Sequence, residues 1–341
     1  AQDNVFLKRD YWKADPSIGA IEKAIEAGND ITELNNNMFD PVCYAILEET
    51  DNATVKHLIG KSGNAVDKIT HDGRTYIFWA AYKGNLEMVQ WLVEKGAKAN
   101  IEDAHGNTVL NFAANAGQTD TELYDFLIAN DADIKATTRR GANALLLVSA
   151  SAKDENIINY FLEKGLAFES TDDDGNGIFQ YTAKTGNINM LEILVEKGAD
   201  AKLINKKGEN ALFMAAQGNR NHENGIAVFE FLENLGLSAE LVTKEGKNLL
   251  HFLSSRNKDV HVFTYMLGKG LDVDLQDADG HTPLMLAARN NTLKVVKLLA
   301  EHTKAINAVD EKGRSALAVA VERNDIKTVS YLLNHGADVY V

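Results

Sequence analysis

The sequence predicts an all-α protein built from about ten stacked helix–turn–helix units. A glycine recurs in a turn context every 33 to 38 residues, at Gly73, Gly106, Gly141, Gly175, Gly208, Gly246, Gly280 and Gly313. A second glycine closes most of the apolar segments that follow, at Gly96, Gly165, Gly198, Gly236, Gly270 and Gly336. Two glycine ladders with the same period indicate one repeating unit. The chain contains only three prolines, and this low proline content favours a helical protein.

The segment Asp277–His302 shows how the two helices of a unit are specified. Thr282 can cap the free N–H groups of the first helix, and Pro283 suits its first position because no hydrogen bond is lost there. The small pair Ala287-Ala288 allows neighbouring helices to approach closely. An apolar stripe at helical spacing predicts the buried face of the second helix, formed by Val295, Val296, Leu298 and Leu299. Closing glycines such as Gly96 can end this helix in a left-handed conformation.

Self-similarity at about 33 residues with these motifs resembles the ankyrin-repeat family. The Thr-Pro-Leu opening at Thr282, the alanine pair and the Val-Val-x-Leu-Leu stretch carry the resemblance, and His71–Asn100 and Asn189–Ala201 repeat parts of it. The resemblance is strong over residues 71–341 and weak over residues 1–70. It implies a solenoid with β-turn fingers, similar in character to exported bacterial ankyrin-repeat proteins.

A single helix pair cannot bury its own apolar face, so stability must come from stacking along a nearest-neighbour array. We therefore expect one domain over residues 1–341. Residues 1–35 are predicted to form an N-terminal capping unit, residues 36–70 a degenerate repeat, and residues 71–341 eight clear repeats. The last repeat is expected to serve as the C-terminal cap through polar residues that face water, namely Asn324, Asp325, Lys327 and Asn334.

Composition excludes several kinds of partner. The chain has 35 basic and 49 acidic side chains and a net charge of −14, which would repel a phosphate backbone, so we predict no nucleic-acid partner. No apolar run approaches the roughly 20 residues that cross a bilayer, so no membrane insertion is expected. The single Cys43 is predicted to be a small buried core residue. We expect a monomer.

The first residues of the sequence bear on the cellular location of the protein. The numbering begins at Ala1-Gln2 without an initiator methionine, and signal peptidases cut after small residues. We therefore expect an exported protein, periplasmic or secreted, with a cytoplasmic location as the alternative.

Motifs for catalysis are missing from the sequence. It contains no nucleophile elbow, HExxH helix or glycine-rich dinucleotide turn, so we expect neither an enzyme nor a cofactor. Gly60-Lys61-Ser62 resembles the end of a phosphate loop, but Val55 occupies the position of the opening glycine. The family resemblance implies that His251 ties a turn together by hydrogen bonds.

One acidic turn has two interpretations. The segment Asp172–Gly177 places carboxylates around a glycine as part of a calcium loop does. Tyr181, however, occupies the position of the closing glutamate, and an ordinary finger has the same pattern. We predict no metal site.

The family resemblance implies that the fingertips and the two residues after the alanine pair face the concave side. The candidate partner-binding residues are Tyr82, Lys83, Arg139, Arg140, Asp173, Asp174, Lys184, Lys206, Lys207, Arg256, Arg289 and Arg323. We predict a non-catalytic scaffold that binds a protein partner there, as an inhibitor or accessory of an exported enzyme. The cations would steer an acidic partner, whereas simple solvation of helix surfaces is the alternative.

A carbohydrate- or metal-binding accessory protein is the second functional hypothesis. It needs aromatic rings open on the surface at Tyr82, Tyr181 or Trp79, and a core role for Trp79 and Tyr181 would weaken it. The polar insertion QGNRNHENG, which follows Ala216, is either a second contact surface or tolerated extra length.

Overall fold

The computed structural model of the protein describes residues 3–219 and 221–341, in which twenty α-helices form ten consecutive pairs. This confirms the predicted all-α class and the repeat number. The chain divides into two compact units, Ala1–Ser170 and Thr171–Val341. Among the described residues, no helix combines the length and apolar character needed to cross a bilayer.

The first unit contains five helix pairs, and the first helices of successive pairs pack on one another. The helices are α1 Arg9–Lys13, α2 Ile18–Glu26, α3 Pro41–Leu47, α4 Asn52–Ile59, α5 Tyr76–Tyr82, α6 Leu86–Glu94, α7 Val109–Asn115, α8 Thr121–Ala129, α9 Ala144–Ser149 and α10 Asn156–Glu163. Helix α3 packs on α5, α5 on α7 and α7 on α9. Cys43 is fully buried, as predicted, and burial raises the pKa of its thiol.

The second unit repeats this plan with five further pairs. The helices are α11 Ile178–Ala183, α12 Ile188–Glu196, α13 Ala211–Gln217, α14 Ile226–Asn234, α15 Leu249–Arg256, α16 Val260–Gly268, α17 Pro283–Asn290, α18 Leu293–His302, α19 Ala316–Arg323 and α20 Ile326–Asn334. The first helices α11, α13, α15, α17 and α19 pack in sequence, and so do the second helices from α14 to α20. Ala287 and Ala288 are fully buried, which confirms that the alanine pair permits close approach.

The helix ends follow the predicted signals. The hydroxyl of Thr282 accepts a hydrogen bond from the backbone N–H of Met285 at 3.3 Å, and Pro283 stands at the first helical position. Gly96 closes its helix with a φ of 99°, in the left-handed region that favours glycine. Asp131 takes the same conformation where the glycine ladder is interrupted.

A ladder of asparagines joins the repeats of the second unit. Each one follows a first helix and donates its side-chain amide to backbone carbonyls of the preceding repeat. Asn257 donates to the carbonyl of Asn224 at 3.0 Å, and Asn291 donates to that of Ser254 at 2.9 Å. Asn324, predicted to face water, is instead half-buried and donates to the carbonyls of Ala288 and Asn291. These bonds fix the position of each helix pair on its neighbour.

The fingers of successive repeats are joined by backbone hydrogen bonds. A fingertip N–H donates to a fingertip carbonyl of the preceding repeat at 2.8 to 3.0 Å. The pairs in the second unit are Lys206 with Asp174, Lys244 with Lys207, Ala278 with Glu245 and Glu311 with Asp279. Ala104 and Asp72 form the same bond in the first unit. The fingers therefore form a ridge held by main-chain atoms.

The last repeat exposes apolar side chains. Val321 is 64% exposed and Ile326 is 74% exposed, and Leu333 is also exposed. The residue of α17 that corresponds to Val321 is Ala288, which is buried. The roles of this repeat as a cap and of residues 1–341 as a single domain stay predictions.

Candidate functional site

A groove in the second unit runs between the fingers and the ends of the first helices. It consists of three depressions of about 510, 390 and 510 Å³. The first and second share Ser255 and Arg256, and the second and third share Asp279, His281 and Leu286. The depressions are therefore continuous, from Asn219 at one end to Arg323 at the other.

The helix side of the groove is basic. Arg256, Arg289 and Arg323 lie in the last turns of three consecutive first helices, α15, α17 and α19, and all three are exposed. None of these guanidinium groups has a hydrogen-bond or ion-pair partner among the described residues. Since the chain carries 49 acidic side chains, three unpaired arginines in one groove form a distinct feature.

The finger side of the groove carries two unpaired carboxylates, a feature that the sequence analysis missed. Asp279 and Glu311 are exposed at successive fingertips, and neither carboxylate has a hydrogen-bond or ion-pair partner within the part of the chain that is described. Between the two sides, apolar side chains line the groove, among them Leu286 and Val319. Lys312, exposed on the finger next to Glu311, also lines the groove, so the finger side carries charges of both signs.

Several other charged groups near the groove are paired within the fingers. Arg314 donates from Nε to Asp310 Oδ2 at 2.9 Å. Burial opposes ionisation of Asp310, but hydrogen bonds from Arg314 and Lys312 outweigh it and lower the pKa of this carboxyl group. Burial likewise disfavours the charged form of Lys247, but its hydrogen bond to Glu245 prevails and raises its pKa. These groups stay charged and paired near neutral pH.

His251 is a structural residue under the groove, as predicted. The side chain is buried, its Nδ1 lies 2.9 Å from Asn248 Oδ1, and its Nε2 lies 3.0 Å from the carbonyl oxygen of His281. Burial lowers the pKa of His251, which favours the neutral ring. The imidazole thus joins the turns of two repeats.

A possible cation-binding geometry occurs once among the described residues. Asp277, Asp279 and His281 each offer a ligand atom, and these atoms lie within 4.8 Å of one another. Asp277 Oδ1, however, accepts hydrogen bonds from the backbone N–H groups of both Asp279 and His281, at 3.1 and 2.8 Å. Its carboxylate therefore already has a role in shaping the turn.

Two carboxylates of the acidic finger, those of Asp172 and Asp174, have protein partners. Asp172 Oδ1 accepts the backbone N–H of Asn176 at 2.8 Å, and Oδ2 accepts the hydroxyl of Tyr181 at 2.9 Å. Asp174 pairs with Lys207 at 2.7 Å. These contacts favour the interpretation of this segment as an ordinary finger.

Four predicted fingertip residues contact one another. Lys206 Nζ donates to the carbonyl of Asp173 at 2.7 Å, while Lys207 Nζ contacts Asp174. The hydrogen bond to Asp174 raises the pKa of Lys207. Lys207 and Asp174 are thus an ion pair across neighbouring fingers, whereas Lys206 contacts only a backbone carbonyl. Lys184, a predicted helix-end residue, lies 4.9 Å from the ring centre of Tyr181.

The remaining predicted residues lie in the first unit, not in the groove. Tyr82 is half-open to solvent and its ring centre lies 5.4 Å from that of Phe112. Lys83 pairs with Glu49 at 3.1 Å. Arg139 and Arg140 are exposed at a fingertip.

Two of the three aromatic side chains needed for carbohydrate binding are in the core. Trp79 is 5% exposed and Tyr181 is 9% exposed, whereas Tyr82 is 40% exposed. The indole N–H of Trp79 donates to Thr70 Oγ1 at 2.9 Å. The carbohydrate hypothesis is weakened because no row of open rings remains.

The insertion after Ala216 forms one end of the groove. Asn219, Asn221, His222 and Glu223 line the first depression, beside Arg256. Asn224 closes the insertion and donates to the carbonyls of Ala183, Lys184 and Ala215, so it continues the asparagine ladder. Arg220, the remaining charged residue of the insertion, lies outside the described residues.

Comparison with known proteins places these repeats in a family. Over 169 residues the chain is 26% identical to neurogenic locus notch homolog protein 1 of Homo sapiens, a match covering 49% of this chain and 6% of that protein. Over 165 residues it is 27% identical to palmitoyltransferase AKR1 of Lachancea kluyveri, covering 48% of this chain and 22% of that protein. The chain thus matches less than a quarter of the length of either relative.

Both relatives are eukaryotic, so the resemblance to exported bacterial proteins stays a prediction. A family model described as ankyrin repeats (3 copies) matches residues 42–138, 145–232 and 250–341, more than half of the chain. Ankyrin repeats indicate a scaffold for protein–protein interactions. With its repeated helix pairs, joined fingers and these matches, the chain belongs to the ankyrin-repeat family.

Proposed function

We propose that the protein is a non-catalytic scaffold that binds a segment of a protein partner in the groove of the second unit. The observation that carries this proposal is the continuous groove, lined by apolar side chains, in which Arg256, Arg289 and Arg323 have no partner among the described residues. Arginine is enriched at the centres of protein interfaces because its planar guanidinium binds carboxylates with defined geometry.

The groove is also held in shape before a partner arrives. Backbone hydrogen bonds join the fingers on one side, and the asparagine ladder fixes the first helices on the other. A preformed site spends less conformational entropy on binding than a flexible one does. Rigid walls with free charged side chains therefore suit recognition.

The chemistry of the groove favours binding over catalysis. A hydrolytic site needs a nucleophile within hydrogen-bond reach of a base. Ser255 donates instead to the backbone carbonyl of His251 at 3.2 Å, and the ring nitrogens of His251 contact Asn248 and the His281 carbonyl. The hydroxyl and the imidazole are thus committed to structural hydrogen bonds.

Site-specific photo-crosslinking tests this proposal. A photoreactive amino acid is placed at Asn290, an exposed groove residue, and at Lys294, an exposed residue of α18 outside the groove. In the native source, Asn290 should capture a protein that Lys294 does not, and the double variant R289E/R323E should lose that capture. Capture of the same proteins from both positions, or capture unaffected by the double variant, would contradict the proposal.

The identity of the captured protein also tests the narrower predictions. An exported location, a monomeric state, and a role as inhibitor or accessory of an exported enzyme stay predictions here. An enzyme that co-purifies with the protein and loses activity on binding would support the inhibitor role.

A further inference from the structure

Two basic residues stand side by side at three places in the chain: Lys8-Arg9, Arg139-Arg140 and Lys206-Lys207. We propose that the middle pair is a proteolytic processing site, at which an endopeptidase specific for paired basic residues cleaves the bond between Arg140 and Gly141. The site lies in the first unit and does not depend on the groove of the second. The proposal rests on contacts that hold the first and third pairs and leave the middle pair free.

The side chains of the middle pair are available for recognition. Endopeptidases that cleave after basic residues bind the cation against a carboxylate of their own, so a cation already paired within the substrate is a poor target. Arg139 and Arg140 are both exposed, and neither guanidinium group has a hydrogen-bond or ion-pair partner among the described residues. The stem of Arg139 lies over the preceding fingertip, since a Cβ atom at Gly106 would lie 3.0 Å from Arg139 Cγ. This contact involves no hydrogen bond and leaves both arginines exposed.

The main chain of this finger lacks a bond that other fingers have. Within the same unit, the N–H of Ala104 donates to the carbonyl of Asp72 at 2.8 Å and so joins two fingers. The N–H of Arg139 stands at the equivalent position, but it makes no backbone hydrogen bond to the preceding finger in the part of the chain that is described. The turn is closed from within, as where the N–H of Gly141 donates to the carbonyl of Thr138 at 2.8 Å.

The pair at Lys206 and Lys207 is a close match in sequence, because a glycine follows both pairs, but it is tied to its neighbours. Lys207 is half-buried and pairs with Asp174 at 2.7 Å, while Lys206 Nζ donates to the carbonyl of Asp173 at 2.7 Å. On the main chain, the N–H of Lys206 donates to the carbonyl of Asp174, and the carbonyl of Lys207 accepts the N–H of Lys244, both at 2.8 Å. Both the cations and the backbone of this fingertip therefore have partners.

The pair at Lys8 and Arg9 is protected in another way. Arg9 is the first residue of α1, so the peptide bond that follows it lies inside a helix, and its guanidinium group pairs with Glu48. Lys8 Nζ lies 3.7 Å from Asp3 Oδ2. Cleavage after Arg9 would require the helix to unwind and the ion pair to Glu48 to break.

Hydrogen bonds between fingers decide how readily a fingertip is cut. A protease cleaves the transiently opened form of a folded segment, so the rate follows the population of that form. Gly141 has a φ of 77°, a turn conformation that must open before the chain can extend along a protease. Each additional hydrogen bond that has to break lowers the open population by about two- to tenfold. The finger of Lys206 and Lys207, with its bonds to neighbouring fingers, should therefore open less often than that of Arg140.

The reaction is a hydrolysis with water as the second reactant. The oxygen of water bonds to the carbonyl carbon of Arg140, the C–N bond breaks, and the nitrogen of Gly141 takes up a proton and leaves as an amino group. Helices α7 and α9 lie on the two sides of the cut and pack on one another, so the fragments 1–140 and 141–341 should stay stacked. Cleavage thus opens one fingertip and keeps the fragments together.

Digestion of the full chain with a purified serine endopeptidase specific for paired arginines tests the proposal. The variant K206R/K207R carries Arg-Arg-Gly in both fingers, so that the contacts and not the recognised residues differ. Mass spectrometry of the fragments gives the rate of each cut. Each rate is divided by that of a synthetic peptide of residues 134–145 or 201–212 of the variant, which removes any preference for flanking residues. We expect the normalised rate at Arg140 to exceed that at the bond before Gly208 by at least about tenfold.

Two controls accompany the digestion. The variant R139Q/R140Q should lose the cut before Gly141, and gel filtration of the cleaved protein should show one peak at the volume of the intact chain. Equal normalised rates in the two fingers, a first cut after Arg9, or an intact bond at Arg140 after the matching peptide is consumed would overturn the proposal. Separation of the fragments without denaturant would contradict the stacking of α7 on α9 across the cut.

Discussion

The side-chain amide of Asn291 donates hydrogen bonds to the backbone carbonyls of Ser254 and Asn257, both in the preceding repeat, at 2.9 Å each. Asn291 is buried, so water cannot replace these bonds if the amide is lost. An unsatisfied buried carbonyl carries a desolvation cost, which makes this residue a joint between two helix pairs.

Asn291→Ala should therefore lower the free energy of unfolding by about 1–3 kcal/mol. The neighbouring Asn290→Ala is a matched control, because Asn290 is exposed, and its effect should stay within about 0.5 kcal/mol. Urea unfolding followed by circular dichroism measures both. Equal effects of the two substitutions would contradict the role of the ladder.

Alanine substitutions at Gly280 and Gly313 separate two costs in unfolding free energy, that of a steric clash between neighbouring fingers and that of backbone strain. Their φ angles, 79° and 73°, are nearly the same, so alanine should strain both positions similarly. A Cβ atom at Gly280 would lie 3.0 Å from Asp310 Cα and Glu311 N, whereas nothing lies within 4 Å of one at Gly313. Gly280→Ala should cost about 1–3 kcal/mol more than Gly313→Ala in thermal or urea unfolding. Similar losses would indicate that the fingers move apart freely.

Arg74 holds a buried charge in the first unit. Its Nε donates to Asp103 Oδ2 at 2.9 Å, and its guanidinium lies 4.3 Å from the ring centre of Phe112. Arg74→Ala leaves the buried Asp103 carboxylate without its cation and should cost about 3–5 kcal/mol. Arg140→Ala, at an exposed fingertip, should change the unfolding free energy by less than about 0.5 kcal/mol. A small effect at Arg74 would show that the hydrogen bonds from His105 and Asn107 are enough to stabilise the carboxylate.

His251 should make stability depend on pH. Burial lowers its pKa in the folded protein below that of the unfolded chain, so the unfolded chain takes up a proton first as pH falls. The contribution of His251 is complete above the unfolded pKa of about 6.5 and is lost as pH falls through the folded pKa. Wild-type protein should lose more unfolding free energy between about pH 7.5 and about pH 5.5 than His251→Gln does. Parallel pH profiles would assign the effect to other groups.

The period of the sequence made most of the fold predictable. Thr282, Pro283 and the closing glycines act locally, so their roles follow from neighbouring residues alone, and the structure confirms them. The period also predicted that Arg256, Arg289 and Arg323 lie near the ends of first helices, although Arg289 stands one residue earlier than the other two. All three line the groove.

The features that were missed depend on contacts between repeats. The asparagine ladder is visible in the sequence, since Asn257, Asn291 and Asn324 recur at intervals of 34 and 33 residues. Their hydrogen-bond partners, however, are backbone carbonyls of the preceding repeat, and their distance from the asparagines depends on how the repeats pack. The free carboxylates on the finger side of the groove were missed for a similar reason. Whether Asp279 and Glu311 are free or paired is decided by the neighbouring finger, and spacing alone does not reveal it.

The main-chain bonds between fingers have a consequence for how recognition can change. The hydrogen bond between Glu311 and Asp279 uses backbone atoms only, so it does not depend on which side chains these two positions carry. New tip residues can therefore be introduced by point mutation, one finger at a time, without redesigning the frame beneath them. A protein of this kind can acquire a different target while keeping its architecture.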